Sequence, residues 1–478
     1  MSSQKEASAN GSIPPVQENA AHPTALSLAK KKIDRDIEEV KTYIDRYIKN
    51  KDYENAMKYI SGLGESLYEY NQFYTDSFLE SCLSRLNEKL SSESPSFTAP
   101  ADENCVLFYD GFGYDTRGLT QIYLDALSNL NYKLVYIVSE HARGHIPTLE
   151  RILRRANIIF YPVDSYLSAH KAICQAITAY RPARSFLCTT PYDIHGLLAF
   201  MRFAGSMVRY QINLTDHAFW LGLQAFDFCL EFRDYGAAIS TQYRHISPQR
   251  LIRMNYYPAL NENIPFAGYP FTRTEGDFVI FSGGFLYKTF DAELTYYKVI
   301  ANILKKYGHV KFWYAGTGDG SELAKLNEAF PGRVFHTGER RDLFAVMRHI
   351  DLYLNTYPMI GGLMMQYAAL AGKPPLTLKK KSDRIGILLR EDSLGIIFES
   401  AAAWQNAIER YITDDKYRTE LQQNIVGTVC TREDFIARVK KLLVNPTASQ
   451  FDLTPYDDTE LKQEYLARFV KKIVPNQS

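Results

Sequence analysis

The sequence predicts an α/β protein with two doubly wound domains that face each other across a cleft, preceded by a small helical region. The chain has 478 residues, which is enough for about three domains with sizeable cores. From about residue 105 onward, short apolar runs alternate with stretches of helical periodicity, as is typical of βα units around a parallel sheet. This alternation occurs in two sets, with a proline-containing segment between them.

The N-terminal part is predicted to be a disordered tail followed by helices. Residues 1–25 are rich in Ser, Ala, Asn and Pro, so that burial cannot offset the entropy of ordering them. Residues 26–92 carry apolar side chains at three- and four-residue steps, which predicts about three helices in a small bundle. Residues 93–104 lack any periodicity and are predicted to be a linker.

Two doubly wound domains are predicted to follow, at residues 105–265 and 275–445. Pro258, Pro265 and Pro270 mark a hinge between them over residues 255–273. A C-terminal tail with a helix is predicted for residues 446–478. The predicted strands lie at 106–109, 134–138, 158–161, 185–188 and 207–212 in the first domain, and at 278–281, 311–315, 334–336, 351–354, 375–378 and 396–398 in the second.

Composition excludes several classes of function. Lys and Arg number 55 against 54 Asp and Glu, and this balance gives no general attraction to nucleic acid or to anionic membranes. The six cysteines have no metal-ligand spacing, and we expect reduced thiols in the core. No basic-then-apolar leader and no run of 18 apolar residues occurs, so a cytoplasmic protein without a membrane span is predicted.

Glycine-bearing turns follow several strands of the second domain. One strand leads into Ser282–Lys288 (SGGFLYK), where paired glycines permit close approach of a ligand and the lysine supplies positive charge. Gly361 and Gly362 open a helix predicted over residues 364–371, which exposes unpaired amides at the positive end of its dipole. Since the carboxyl ends of parallel strands share one edge, these turns predict a site for a nucleotide diphosphate.

Two commoner nucleotide-binding motifs do not fit. The sequence contains no G-x-x-x-x-G-K-[ST], so a P-loop NTPase is unsupported. The glycines at 316, 318 and 320 do not have the dinucleotide spacing and do not belong to the first βα unit, which argues against an NAD site.

The stretch FLYK at residues 285–288, with ANILKK at 301–306, the loop 355–362 and AGKP at 371–374, resembles the donor half of GT-B glycosyltransferases. It is most similar to the O-GlcNAc transferase group and its bacterial cytoplasmic relatives. The resemblance implies that the lysine and the helix N-terminus hold the donor diphosphate, and that Thr337 and Gly338 lie by the nucleobase. The implied donor-binding residues are Gly283, Gly284, Tyr287, Lys288, Gly316, Thr337, Gly338, Gly361, Gly362, Leu363 and Gln366.

One position departs from that family. Where many members carry a carboxylate for the ribose hydroxyls, this chain has Tyr367, and we expect Gln366 to replace the carboxylate by hydrogen bonding.

Candidate catalytic groups lie in the first domain. Asp110 and Asp115 flank a glycine-containing loop after the first strand, where they either position an acceptor or cap the next helix. The stretch DHAFWLG at residues 216–222 resembles a signature of bacterial relatives of the group, and it contains His217, a candidate general base. A lone histidine is more often structural. Adjacent side chains diverge, so Asp216 need not orient His217.

The predicted function is transfer of a sugar from a nucleotide-diphosphate sugar, expected to be a UDP-sugar, to a hydroxyl or amide of a protein or glycan acceptor. The resemblance implies a hexosyl- or N-acetylhexosaminyl-transferase. No D-x-D motif lies in a suitable loop, which favours a reaction without metal or cofactor. Two alternatives remain: a sugar-nucleotide 2-epimerase, and a silent GT-B subunit that stabilises a partner. Residues 26–92 are predicted to dock a partner, an acceptor or a second copy.

Overall fold

A computed structural model describes residues 25–91, 100–259, 264–380, 383 and 385–473. The predicted tail, apart from residue 25, and most of the predicted linker lie outside these residues. The first strand begins at Asp102, within the range predicted as linker.

Three helices form the N-terminal region, as predicted: α1 (Ala25–Lys49), α2 (Tyr53–Tyr70) and α3 (Ser77–Ser91). Asp52 caps α2 by accepting a hydrogen bond from the Asn55 amide. The apolar faces of all three helices belong to the same buried cluster as one face of the first domain's sheet. The helical region is therefore continuous with that domain's core.

The first domain is built on a seven-stranded parallel sheet in the order β3-β2-β1-β4-β5-β6-β7. Its last two strands are not among the predicted ones. The strands are β1 (Asp102–Asp110), β2 (Lys133–Ser139), β3 (Asn157–Tyr161), β4 (Pro182–Cys188), β5 (Val208–Ile212), β6 (Phe228–Glu231) and β7 (Leu251–Arg253). The helices of this domain are α4 (Gly118–Ser128), α5 (Pro147–Ile152), α6 (Tyr166–Tyr180), α7 (Ile194–Arg202) and α8 (Asp234–Gln242).

The second domain repeats this topology with a six-stranded parallel sheet in the order β10-β9-β8-β11-β12-β13. The strands are β8 (Phe278–Gly283), β9 (Val310–Ala315), β10 (Val334–Thr337), β11 (Leu352–Leu354), β12 (Pro375–Leu378) and β13 (Ile397–Phe398). The helices are α9 (Thr295–Lys306), α10 (Ser321–Ala329), α11 (Leu343–His349), α12 (Gly362–Leu370), α13 (Ala401–Thr413) and α14 (Asp415–Asn424).

The C-terminal segment returns to the first domain. Helix α15 (Arg432–Val444) lies in the range predicted for the second domain, yet its Phe435 packs edge-on against Tyr123 of α4, with ring centroids 4.9 Å apart. Helix α16 (Thr459–Ile473) packs on the N-terminal helices, where Phe469 contacts Tyr70. The chain thus crosses from one domain to the other twice.

Both sheets reverse their strand order at one point, between β1 and β4 in the first domain and between β8 and β11 in the second. In open parallel sheets, ligands bind beside the carboxyl ends of the strands at such a switch point. The six cysteines are buried and unpaired. Among the described helices, none combines the length and the apolar character needed to cross a membrane.

Candidate functional site

A cleft of about 480 Å³ lies between the two domains. It receives side chains from the turns after β5 and β8, from the N-terminus of α12, and from α16. Four predicted donor-binding residues and one predicted catalytic residue line it: Tyr287, Lys288, Gly362, Leu363 and His217.

Lys288 brings an uncompensated positive charge to this cleft. It lies in a 3₁₀ turn, Leu286–Thr289, that is separated from β8 by two residues. Burial lowers the pKa of Lys288 below its usual value, because partial removal from water disfavours the charged form. Its ammonium group forms no ion pair with any carboxylate in the described part of the chain. An anion bound here would stabilise the charged lysine.

The N-terminus of α12 adjoins the same turn. The amide of Met359, in the loop before α12, donates to the carbonyl of Lys288 at 3.2 Å. Asn355 shapes this loop, since its Oδ1 accepts from the Gly361 amide at 3.0 Å. No side chain caps the first turn of α12. The positive end of the helix dipole therefore opens on the cleft beside Lys288, an arrangement suited to phosphate groups.

The glycine turns after β8 and β9 pack against each other. A Cβ built on Gly316 would lie 1.8 Å from the carbonyl oxygen of Gly284, so only glycine fits there without a shift of the backbone. Gly283 approaches the Ala315 carbonyl in a similar way, at 3.0 Å from a Cβ built on it. These glycines bring two neighbouring strand ends close together at the edge that carries Lys288.

The turn after β10 lies at the same edge of the sheet. The carbonyl of Thr337 accepts from the Gly316 amide at 3.0 Å, and its Oγ1 accepts from the indole of Trp313. A Cβ built on Gly338 would meet nothing within 4 Å, so the space beside this residue is open.

Gln366, the residue expected to bind the ribose hydroxyls, is not among the residues that line the cleft. Its side chain is buried, and its Nε2 donates to the carbonyl of Tyr256 at 3.1 Å. The neighbouring Tyr367 hydroxyl donates to the Ala259 carbonyl. The side chains of Gln366 and Tyr367 thus both bind the segment that connects the domains, which passes over α12.

His217 lines the cleft from the first domain, and its side chain is 41% exposed. Its Nδ1 lies 3.3 Å from Oδ1 of Asp216, so the carboxylate does face the ring although adjacent side chains usually diverge. The two residues lie in a turn, and there adjacent side chains can reach the same side.

The buried carboxylate of Asp216 forms an ion pair with Arg233. The guanidinium donates from Nε at 2.6 Å and from a terminal nitrogen at 2.9 Å. Burial alone would raise the pKa of Asp216, but the charge of Arg233 and the hydrogen bonds from His217 and Arg233 outweigh it. The pKa lies well below its usual range. Asp216 is therefore ionised behind His217 at neutral pH.

The N-terminal helical region holds the loop that carries His217. Asn71, at the end of α2, donates to the carbonyl of His217 at 3.1 Å and accepts from the amide of Phe219. Glu80 of α3 accepts from the amides of Gly222 and Leu223. Burial raises the pKa of Glu80 to about 7, although these two hydrogen bonds act in the opposite direction.

Buried Arg244, just after α8, supports the same loop. One of its guanidinium nitrogens donates to the carbonyls of Asp216 and Ala218.

Sequence reasoning missed Asn71, Glu80, Arg233 and Arg244 as contributors to the site. Their partners lie far along the chain, and no spacing within one sequence connects them.

The carboxylates of Asp110 and Asp115 accept hydrogen bonds from backbone amides and do not line the cleft. Asp110 is buried, accepts from the amides of Phe112 and Gly113, and accepts from the Tyr136 hydroxyl at 2.7 Å. Asp115 accepts from two amides at the start of α5. Neither carboxylate caps the next helix, α4, as the structural interpretation expected, since the N-cap of α4 is Arg117 and has no side-chain cap. Asp110 binds loop amides and Asp115 binds the first amides of α5 instead.

Helix α16 closes one side of the cleft with Glu464, Tyr465 and Arg468. Lys380, which follows β12, also lines the cleft, and it pairs with Glu460 at 3.2 Å and with Glu464. The C-terminal helix therefore connects the N-terminal helices to the second domain across the cleft.

Two Rossmann-type domains whose strand ends face one cleft, with a C-terminal helix that crosses back to the first, make up the GT-B fold. The chain is similar to a point mutant of the O-GlcNAc transferase from Thermobaculum terrenum, with 14% identity and a TM-score of 0.50 over 92% of this chain and 82% of that one. It is also similar to Anabaena HepE in complex with UDP and glucose, with 12% identity and a TM-score of 0.50 over 71% of this chain and 99% of that one. The sequence itself matches no protein-family model and no curated protein.

Proposed function

We propose that this chain is a glycosyltransferase that moves a sugar from a nucleotide-diphosphate sugar to an acceptor hydroxyl or amide. The observation that carries the proposal is that Lys288, the uncapped start of α12 and His217 with its carboxylate line one cleft. Transfer from such a donor needs a group to stabilise the departing diphosphate and a base for the nucleophile. The cleft offers candidates for both.

In this proposal, Lys288 and the amides of Gly362 and Leu363 bind the diphosphate. They act most strongly when the glycosidic bond breaks, because the leaving oxygen then gains negative charge. These groups supply the positive charge that a metal supplies in other transferases, so we propose transfer without a metal or cofactor. UDP is the proposed nucleotide, since the Anabaena neighbour of the same fold was solved with UDP.

His217 is the proposed general base. With Nδ1 facing ionised Asp216, the favoured tautomer carries its proton on Nδ1 and leaves Nε2 free to accept one. The acceptor oxygen or amide nitrogen bonds to the anomeric carbon, the bond to the diphosphate oxygen breaks, and the acceptor proton passes to Nε2. The transferred group is a hexosyl or N-acetylhexosaminyl unit in this proposal.

Nucleotide release tests the proposal. The protein is incubated with UDP- and GDP-sugars, with and without a panel of glycans and peptides, and released UDP or GDP is measured. We expect release that requires both a UDP-sugar and an acceptor. Conversion of the free sugar nucleotide into its epimer would instead indicate a 2-epimerase. Binding of UDP without any turnover would indicate a silent subunit, and either result would contradict the proposal.

A further inference from the structure

We infer that a second pocket, beside the cleft, takes an acceptor sugar that carries a carboxylate or phosphate; this inference rests on the proposed transfer function. The aromatic pocket, as we name it, is lined by Tyr68, Phe112, Tyr114, Arg117, Tyr192 and Leu214. Its volume is about 390 Å³, at the lower end of the roughly 300–1,000 Å³ found for small-molecule sites.

The position of the aromatic pocket suits an acceptor. It lies at the carboxyl ends of β1, β4 and β5, at the switch point of the first sheet. Leu214 lines both this pocket and the cleft, and His217 is in the turn that follows it. A ligand that fills the pocket therefore reaches the cleft from the side on which the proposed base lies.

Arg117 gives the aromatic pocket its charge. The guanidinium carbon lies 3.5 Å from the ring centroid of Phe112 and 5.7 Å from that of Tyr114, which holds the planar group in place. Its buried Nε has no hydrogen-bond partner within the described ranges. The carboxylate of Asp110, which interacts electrostatically with Arg117, is already engaged by two amides and a tyrosine hydroxyl.

A guanidinium held in place by two rings is suited to bidentate contact with a carboxylate or phosphate through its terminal nitrogens. It is the feature that selects an anionic ligand over a neutral one.

The remaining lining points to a sugar ring. Tyr114 is 61% exposed and Tyr192 presents a further ring, so the walls offer flat apolar faces for the C–H faces of a pyranose. The Tyr192 hydroxyl donates to Glu65 of α2 at 3.4 Å, and Tyr68 of α2 closes the far wall. Because α2 closes this side, the pocket suits a compact end group better than an extended peptide.

Binding of three simple sugars tests this inference. Glucose, glucuronic acid and glucose 6-phosphate are titrated into protein saturated with UDP, which occupies the donor cleft, and affinities are measured by calorimetry or ligand-observed NMR. We expect at least one anionic sugar to bind about 10- to 100-fold more tightly than glucose, because a hydrogen bond to a charged group contributes that much. Glucuronic acid and glucose 6-phosphate distinguish carboxylate from phosphate.

Variants assign the effect to Arg117. Arg117→Gln should remove the preference for the anionic sugar, whereas Arg154→Gln, at an exposed arginine of the same domain, should leave it unchanged. Tyr114→Ala, at an exposed position, should weaken the binding of all three sugars. Equal affinities, no binding of either anion, or an anion preference that survives in Arg117→Gln would overturn the inference. UDP binding is measured on the same samples, so failure of the donor site is seen separately.

Discussion

At the scale of single residues, the charge of Lys288 is the most consequential feature of the cleft. The ammonium group of Lys288 is partly withdrawn from water and has no ion-pair partner among the described carboxylates, which is an unfavourable state, as its lowered pKa indicates. A diphosphate would relieve this cost. Binding of the nucleotide should therefore raise the pKa of Lys288 and draw a proton onto it at alkaline pH.

Lys288→Met should weaken UDP binding by about 10- to 100-fold, since it removes one charge-assisted contact. Uridine lacks the phosphates, and its affinity should not change. Calorimetric titration of both ligands makes the comparison. Lys298→Met, at an exposed lysine of α9, is the matched control. Equal losses for UDP and uridine would show that Lys288 does not contact the diphosphate.

His217→Ala should lower turnover by about 10²- to 10⁴-fold, the range for loss of a general base, while the affinity for UDP stays the same. Nucleotide release under saturating donor measures the first quantity, and UDP titration the second. His309→Ala provides an exposed histidine as control. Turnover at the wild-type rate in His217→Ala would remove this residue from the reaction.

From the sequence alone, Lys288, Gly362 and His217 could be proposed, and all three line the cleft. Parallel strands end at one edge, and the turns that follow them can be identified from the pattern. The sequence did not separate these residues from Asp110 and Asp115, which also follow strands or flank turns. Whether a carboxylate faces a cleft or accepts from nearby amides depends on the path of the loop, and one sequence does not reveal that path.

At the scale of elements, the contact between the turns after β8 and β9 should be sensitive to small changes. In Gly316→Ala the new methyl group would overlap the Gly284 carbonyl, so the backbone must move. We expect a loss of about 2 kcal/mol or more in the free energy of unfolding. Gly338→Ala, in the next turn, meets open space and should change stability by less than about 0.5 kcal/mol. Urea unfolding measures both free energies of unfolding, and equal losses in the two variants would contradict this interpretation.

Glu80 connects α3 to the histidine loop, and its raised pKa gives stability a definite pH dependence. The pKa is about 7 in the folded protein against an ordinary value of 4.5. The contribution of Glu80 is therefore fully present below about pH 4.5 and is lost as the pH rises through 7. Relative to Glu80→Gln, the free energy of unfolding of the wild type should fall by on the order of 3 kcal/mol between about pH 5 and pH 8. If the free energies of unfolding of the two proteins changed with pH in parallel, Glu80 would not be the source of this pH dependence.

Most strands and helices could be predicted because their apolar runs are long and clearly bounded. Strands β6 (Phe228–Glu231) and β7 (Leu251–Arg253) could not, because a charged residue interrupts each short apolar run. Helix α9 begins only at Thr295, because the 3₁₀ turn with Lys288 and the residues after it come first.

At the scale of the whole molecule, the two domains are joined by contacts that cross the cleft. Arg233 of the first domain donates to the Ile385 carbonyl of the second at 3.2 Å while it holds Asp216. Helix α16 adds the pairing of Lys380 with Glu460 and Glu464. Helical periodicity identifies the apolar face of α15 or α16 but not the surface that it covers, so the return of both helices to the first domain could not be predicted.

A crystal structure of the protein with UDP tests the central claim most directly. We expect the diphosphate in the cleft, with its oxygens within hydrogen-bond distance of Lys288 Nζ and of the amides of Gly362 and Leu363, and with the β-phosphate toward His217. UDP bound elsewhere on the molecule, or a diphosphate that contacts neither Lys288 nor the start of α12, would contradict the proposal of sugar transfer in this cleft.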